Sequence, residues 1–167
     1  NFEAIGIIQF KIDETLRRVL THKKAYLLDL TTAFHDNLGV AASNDKKLFN
    51  FSIDGKSGGS YQSRMSWMYF LKDDIFLEFP VDDIWYLKEN ETPSIFEGND
   101  YHEIKSFFSH NKMRYLLFGS VRTCGACYDD YVTLVHFENN DLVLDFEYSI
   151  DTRFYDQKIF FDEESKS

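Results

Sequence analysis

The residues best suited to chemistry are Cys124 and Cys127, paired in Cys124-Gly125-Ala126-Cys127. Two thiols at that spacing do redox work where a strand gives way to a helix, because the helix N-terminus lowers the pKa of the first thiol. Here the sequel Tyr128-Asp129-Asp130-Tyr131-Val132-Thr133-Leu134-Val135 reads as a strand, which is the wrong setting for that chemistry. A zinc site needs two further ligands. The five histidines are scattered, with His102 and His110 eight apart and His136 on an expected strand, and there is no second CxxC. Three readings remain, in descending order: a turn held by a local disulfide, two reduced thiols at a loop tip with Gly125 allowing the tight geometry, and redox or metal function. A disulfide closing so short a loop constrains little of the unfolded chain, so its effect would be to pin the loop.

Other motifs carry less. The stretch Ile53-Asp54-Gly55-Lys56-Ser57-Gly58-Gly59-Ser60 resembles part of a phosphate-binding loop, but that motif needs Gly where Asn50 stands. No G-x-S-x-G elbow surrounds Ser57 or Ser60. Gly58 and Gly59 instead suit a hairpin tip or a bulge before Tyr61. Acidic doublets occur at Asp73-Asp74, Asp82-Asp83 and Asp129-Asp130. Neighbouring residues on a strand point to opposite faces, so such doublets do not act together, and solvated turns explain all three. Trp67 and Trp85, with Tyr61, Tyr69 and Tyr86, either line a ligand cleft or fill a core, and the core is the default in a β domain. No catalytic constellation emerges, and no cofactor is expected. The residues placed to touch a partner are Gly58, Gly59, Tyr61, Asp129 and Asp130.

The elements that would position these residues are mostly strands. Apolar residues Leu16, Val19, Leu20, Leu27 and Leu28 mark one amphipathic helix over Asp13–Leu30, opened by an N-cap at Asp13. From Lys47 the period changes to two. Leu48–Ile53 leads into Asp54-Gly55, a dipeptide that suits a tight hairpin. Met65–Leu71, Ile75–Phe79, Ile84–Leu87, Arg114–Val121, Tyr131–Phe137, Leu142–Tyr148 and Lys158–Phe161 follow as strands rich in aromatic and β-branched residues. Lys72-Asp73-Asp74 and Glu138-Asn139-Asn140-Asp141 supply turns, since Asn and Asp tolerate left-handed geometry. Tyr101–His110 is left open between a short helix and a loop turning into a strand. Spacings of about 8 to 12 residues predict an antiparallel meander, because parallel neighbours need intervening helices. The expected fold is mainly β (α+β), an antiparallel sandwich or barrel-like sheet with one N-terminal amphipathic helix.

Composition bounds the rest. The chain has 167 residues, 44% hydrophobic and 17% aromatic, far from a disordered profile. With two Pro, eight Gly and no linker or repeat, residues 1–167 read as a single domain. No apolar run nears the roughly 18 residues that span a bilayer, so no membrane-spanning segment is expected. The formal charge of −10 opposes binding to phosphate backbones and anionic lipid, which disfavours nucleic acid and membrane surfaces; it suits a cationic protein partner, although such acidity is more often a solubility property alone. The chain starts at Asn1 without an initiator Met, as it would after removal of a signal peptide or a tag.

Two stretches carry a resemblance. Ala42-Ser43-Asn44-Asp45-Lys46-Lys47-Leu48-Phe49-Asn50-Phe51-Ser52-Ile53-Asp54, followed by Gly58-Gly59, resembles an S-x-D-G-K-x-x-x-x-S-x-D pattern with a Gly pair found in uncharacterised secreted or lipoprotein-type bacterial envelope proteins. It departs at Lys46, where that pattern has Gly. Tyr115-Leu116-Leu117-Phe118-Gly119 is similar to a Tyr-x-Leu-Leu-x-Gly strand in the same proteins. The resemblance covers about a third of the chain. It implies a periplasmic or extracellular β protein, an oxidising compartment and hence a Cys124–Cys127 disulfide, and it brings no catalytic residues. The function expected is non-enzymatic binding, concretely an immunity or inhibitor protein that neutralises a cationic toxin or a wall-degrading enzyme. The alternatives are a small-molecule or glycan binder and a thiol-active protein.

Overall fold

The structure, a computed structural model, describes residues 2–34, 38–54, 64–79, 101–122 and 128–151. The chain begins with helix α1, Phe2–Leu20. A 3-10 turn at Ala25–Leu27 and the short helix α2, Leu30–Phe34, come next. Eight strands follow among the described residues: β1 Gly39–Ala42, β2 Leu48–Asp54, β3 Arg64–Lys72, β4 Ile75–Phe79, β5 Tyr101–Ser109, β6 Lys112–Arg122, β7 Tyr128–Glu138 and β8 Asp141–Asp151. They form two antiparallel four-stranded meanders, in the orders β1-β2-β3-β4 and β5-β6-β7-β8. The mainly β, antiparallel architecture with an N-terminal helix is as the sequence predicts, and the described strands close no barrel.

Both faces of the first sheet are buried, which explains why β2 and β3 read as nearly unbroken apolar runs. Leu48 on β2 and Met68 and Phe70 on β3 face the second sheet, where they meet Tyr101, Ile104, Tyr115, Leu117, Tyr131, Val135 and Leu142. The alternate residues Phe49, Phe51, Trp67 and Tyr69 face the helices and pack on Leu16, Leu20, Ala25 and Leu30. The result is three layers: helices, first sheet, second sheet. Burying one such phenylalanine or leucine contributes roughly 1.5–3 kcal/mol. Phe70 stacks on Phe137 with ring centres 4.1 Å apart and meets Tyr115 edge-on at 5.7 Å.

The helical region differs from the sequence expectation of one helix over Asp13–Leu30. Asp13 is not an N-cap but lies within α1 and pairs with Arg17 one turn on, at 3.3 Å. The buried stripe is Leu16 and Leu20, with Ile12 partly buried, at i, i+4 spacing. Leu27 and Leu28 fall beyond the helix end and are exposed. The capping aspartate is Asp29, whose carboxylate accepts from the backbone amide and hydroxyl of Thr32 at the start of α2. Arg17 also donates to Glu78 on β4 at 2.9 Å and so ties α1 to the first sheet.

Three hairpins close through two left-handed residues each. Asp73 and Asp74 (φ 48 and 65°), His110 and Asn111 (50 and 62°), and Asn139 and Asn140 (54 and 66°) join β3–β4, β5–β6 and β7–β8. Such turns match the strand twist, and Asn and Asp accept positive φ at low cost. Tyr101–Ser109, left open by the sequence, is a strand because this turn returns it onto β6. Lys46 also has positive φ, 56°, the conformation glycine favours, at the position where the resembled pattern carries Gly. The Asp54-Gly55 tight turn is corrected: Asp54 pairs with Arg64 on β3, so β2 and β3 are not joined by a two-residue turn there, and Gly55 lies outside the described residues. β1 was not anticipated. It is short and pairs with β2 through Val40↔Phe51. The expected strands Ile84–Leu87 and Lys158–Phe161 lie outside the described residues.

Candidate interaction face

The register places the expected site residues. Arg122 pairs with Tyr128, so Cys124 and Cys127 sit in the connection of the β6–β7 hairpin, outside the described residues. Gly58, Gly59 and Tyr61 also lie outside the described residues, as do Trp85, Tyr86, Asp82 and Asp83. Asp129 and Asp130 are not in a solvated turn, which corrects that expectation for this doublet. They are half-buried on β7, opposite Val121 and Ser120, and alternate to opposite faces of the sheet. Asp129 Oδ1 is buried and has no hydrogen-bond partner among the described residues. Trp67 and Tyr69 are core residues between the first sheet and the helices, not the lining of an open cleft.

The sheets are stitched together by polar groups between β1–β2 and β5–β6. Ser43 Oγ donates to Asp45 Oδ1 at 2.6 Å and accepts from the Leu48 amide at 2.9 Å. The Tyr115 hydroxyl crosses from β6 and donates to Asp45 Oδ2 at 3.0 Å, and the Asp45 amide donates to Ser106 Oγ on β5. Burial first, and then the Asp45 carboxylate, push the Tyr115 phenol above its ordinary range. Five residues beyond Asp45, on β2, Asn50 Nδ2 donates to the Tyr101 carbonyl at 2.9 Å. Tyr101 lies opposite Gly119. β2 and β6 therefore leave the core in the same direction, and the connections at 55–63 and 123–127 start from the same end of the fold.

The outward face of the second sheet carries a charged cluster that the sequence hinted at only through His136. Alternation puts Lys112 and Arg114 of β6 and His136 and Glu138 of β7 on the face away from Tyr115 and Val135. A bulge completes it: Leu134 pairs with Phe146 and Val135 with Leu144, so Asp145 has no partner residue and its carboxylate turns over the ring. His136 Nδ1 lies 3.1 Å from both Asp145 oxygens. Arg114 donates to Asp145 Oδ2 at 2.9 Å. On the far side, His136 Nε2 is 3.2 Å from Lys112 Nζ and 3.3 Å from Glu138 Oε2, and Lys112 also donates to Glu138 at 3.0 Å. Lys112 and then His136 hold the Glu138 carboxyl below its usual range.

A His–Asp pair orients a general base when the second ring nitrogen is open to substrate. Here Nε2 is already engaged. The cluster instead ties β6, β7 and β8 together and leaves an organised mixed-charge patch. Among the described residues, no group of three His, Cys, Asp or Glu side chains is arranged to hold a metal ion, and no helix is long and apolar enough to cross a membrane.

Beside the cluster the face becomes apolar and exposed. Val143, Phe146 and Tyr148 of β8 are 38%, 53% and 50% exposed there beside Asp141 and Asp145, and on the opposite face of the same strand Leu144 and Glu147, whose partners Val135 and Thr133 are buried, are exposed as well. Exposed aromatics mixed with acids on one strand are what a contact surface offers and a solvated face seldom does. The signal was present in the strand Leu142–Tyr148, but alternation alone does not say that both of its faces lack cover. No known protein family, curated protein or solved structure matches the chain.

Proposed function

We propose that the chain is a non-enzymatic binding module for a cationic protein, acting as an immunity or inhibitor protein of the bacterial envelope, and that β8 with its adjoining charged cluster is the contact surface. The observation that carries this reading is the exposed row Val143, Phe146 and Tyr148 beside Asp141 and Asp145 on one face of β8. Aromatic anchors supply contact energy, while the −10 formal charge steers a cationic partner and sets the salt dependence. The engaged nitrogens of His136 favour a structural cluster over a catalytic base. The envelope location rests on the resemblance of the β2 and β6 stretches and on the CxxC pair.

The test is crosslinking capture from the source cell and its competitors, followed by titration of the recovered protein. A cationic partner is expected, with affinity falling at least about tenfold between 50 and 300 mM salt. It should weaken further in Phe146→Ser. Recovery of no protein, or of one bound equally at both salt concentrations and by the variant, rejects the reading.

A further inference from the structure

We propose that the outer edge of β8 takes up an extended basic segment of the partner as an added strand, an inference that rests on the cationic-partner reading and specifies its mode. β8 ends the order of its sheet and pairs on one side only, with β7, among the described residues. It is 11 residues long, or about 37 Å at strand rise. Every residue from Val143 to Ser149 is exposed. A long edge presents unpaired amides and carbonyls that bond readily to another strand. The other edges differ: β4 has five residues and β1 runs beside β5.

Charge chooses the occupant. Between Asp141 and Ile150 the strand holds three acids and no base. Pairing with a second copy would set acid near acid across the new ladder, and like charges facing each other on paired strands are destabilising. Acidic segments are rejected for the same reason. A strand alternating Lys or Arg with apolar residues meets the opposite condition: its cations reach Glu147, which pairs with Thr133 and shares its face, while its apolar residues cover Phe146 and Tyr148 on the other face. Glu147 has no ion-pair partner among the described residues, so its charge is available. Asp145 is already held by Arg114 and His136, and its bulge fixes the strand's bend before any partner arrives. The same acids thus keep out copies of the chain and admit a basic segment.

The probes are a nine-residue peptide alternating lysine with valine or threonine, its analogue N-methylated at four adjacent residues, which removes amides from both peptide edges, and its glutamate-for-lysine analogue. Titrated into the full isotope-labelled chain, the lysine peptide should shift amides within residues 141–150 and slow their hydrogen exchange. The methylated analogue should bind at least about tenfold more weakly, since several backbone bonds are lost. The glutamate analogue should not bind. In Glu147→Lys the lysine peptide should lose about fivefold or more.

Equal binding of the parent and methylated peptides overturns strand addition, and if Glu147→Lys still weakens both, charge-selective binding at this face survives without it. Shifts confined to another surface, or no binding of the lysine peptide, also overturn it. So do β8 amides already protected in the free chain. In that case sedimentation distinguishes a second copy, which gives a concentration-dependent dimer, from cover by the chain itself.

Discussion

Gly119 lies directly across the β6–β7 ladder from Tyr131, and a Cβ at residue 119 would fall 2.2 Å from the Tyr131 ring. The ring occupies the place of the missing side chain. It also meets Tyr101 edge-on at 5.3 Å, and the Tyr101 hydroxyl shares a buried 3.0 Å hydrogen bond with Thr133. Gly119→Ala must displace this stack and should cost about 2–3 kcal/mol, lowering the midpoint of thermal unfolding by roughly 5–10 °C. Gly39→Ala is the contrast. Its Cβ meets the Ser52 hydroxyl at 2.8 Å, a group that can rotate away, and the loss should stay under about 1 kcal/mol.

Tyr115 makes stability fall in alkali. Its phenol is held above the ordinary range in the fold, whereas in the unfolded chain it ionises near pH 10. Its contribution is therefore complete below about pH 10 and declines as pH rises further, because only the unfolded chain then releases the proton. Tyr69, raised by burial and then by Glu78 and Asp13, adds in the same direction. Urea midpoints at pH 8 and pH 11 should show the fall. Tyr115→Phe should flatten it while costing about 1–2 kcal/mol at pH 8 through loss of the bond to Asp45.

Asn50 is fully buried and donates to the Tyr101 carbonyl, while its Oδ1 has no partner among the described residues. Asn50→Asp replaces the donor by a carboxylate oxygen facing a carbonyl. The expected loss is about 3–5 kcal/mol at pH 7. It should shrink towards pH 4, where a protonated acid can donate to Tyr101. Circular dichroism melts at the two pH values check both statements.

The His136 ring should carry its proton on Nδ1 when neutral, since both Asp145 oxygens accept there and Lys112 donates to Nε2. Nitrogen chemical shifts of the ring report the tautomer directly. Asp145→Ala should cost about 1.5–3 kcal/mol, because Arg114 and His136 lose a charged acceptor together. The depressed Glu138 carboxyl acts in acid: its contribution is present above the usual carboxylate range and is lost as pH falls through the lower folded value. Glu138→Gln should therefore flatten the acid limb of a stability–pH curve.

Asp29→Ala removes the cap of α2 and should cost about 0.5–2 kcal/mol. Asp13→Ala, within α1, removes only an exposed i, i+4 pair and should cost under about 0.5 kcal/mol. Chemical denaturation of the two variants side by side separates the observed cap from the one that the sequence suggested.

The sequence by itself determined the strands β2, β3, β4, β6, β7 and β8, the antiparallel order and two of the tight turns, because side-chain alternation and left-handed tolerance are local properties. It also determined the formal charge of −10. Only the tertiary structure decided which aspartate caps a helix, since Asp13 and Asp29 both have the right side chain and packing of Leu16 and Leu20 sets where α1 runs. The two-sided burial of β2 and β3 likewise depends on which layers meet, and so moves Trp67 and Tyr69 from a conceivable cleft into the core. The Asp145 bulge is the clearest case. One unmatched residue in the β7–β8 register brings Asp145 over His136 and bends the exposed edge, and register is a relation between strands that neither strand's own pattern contains.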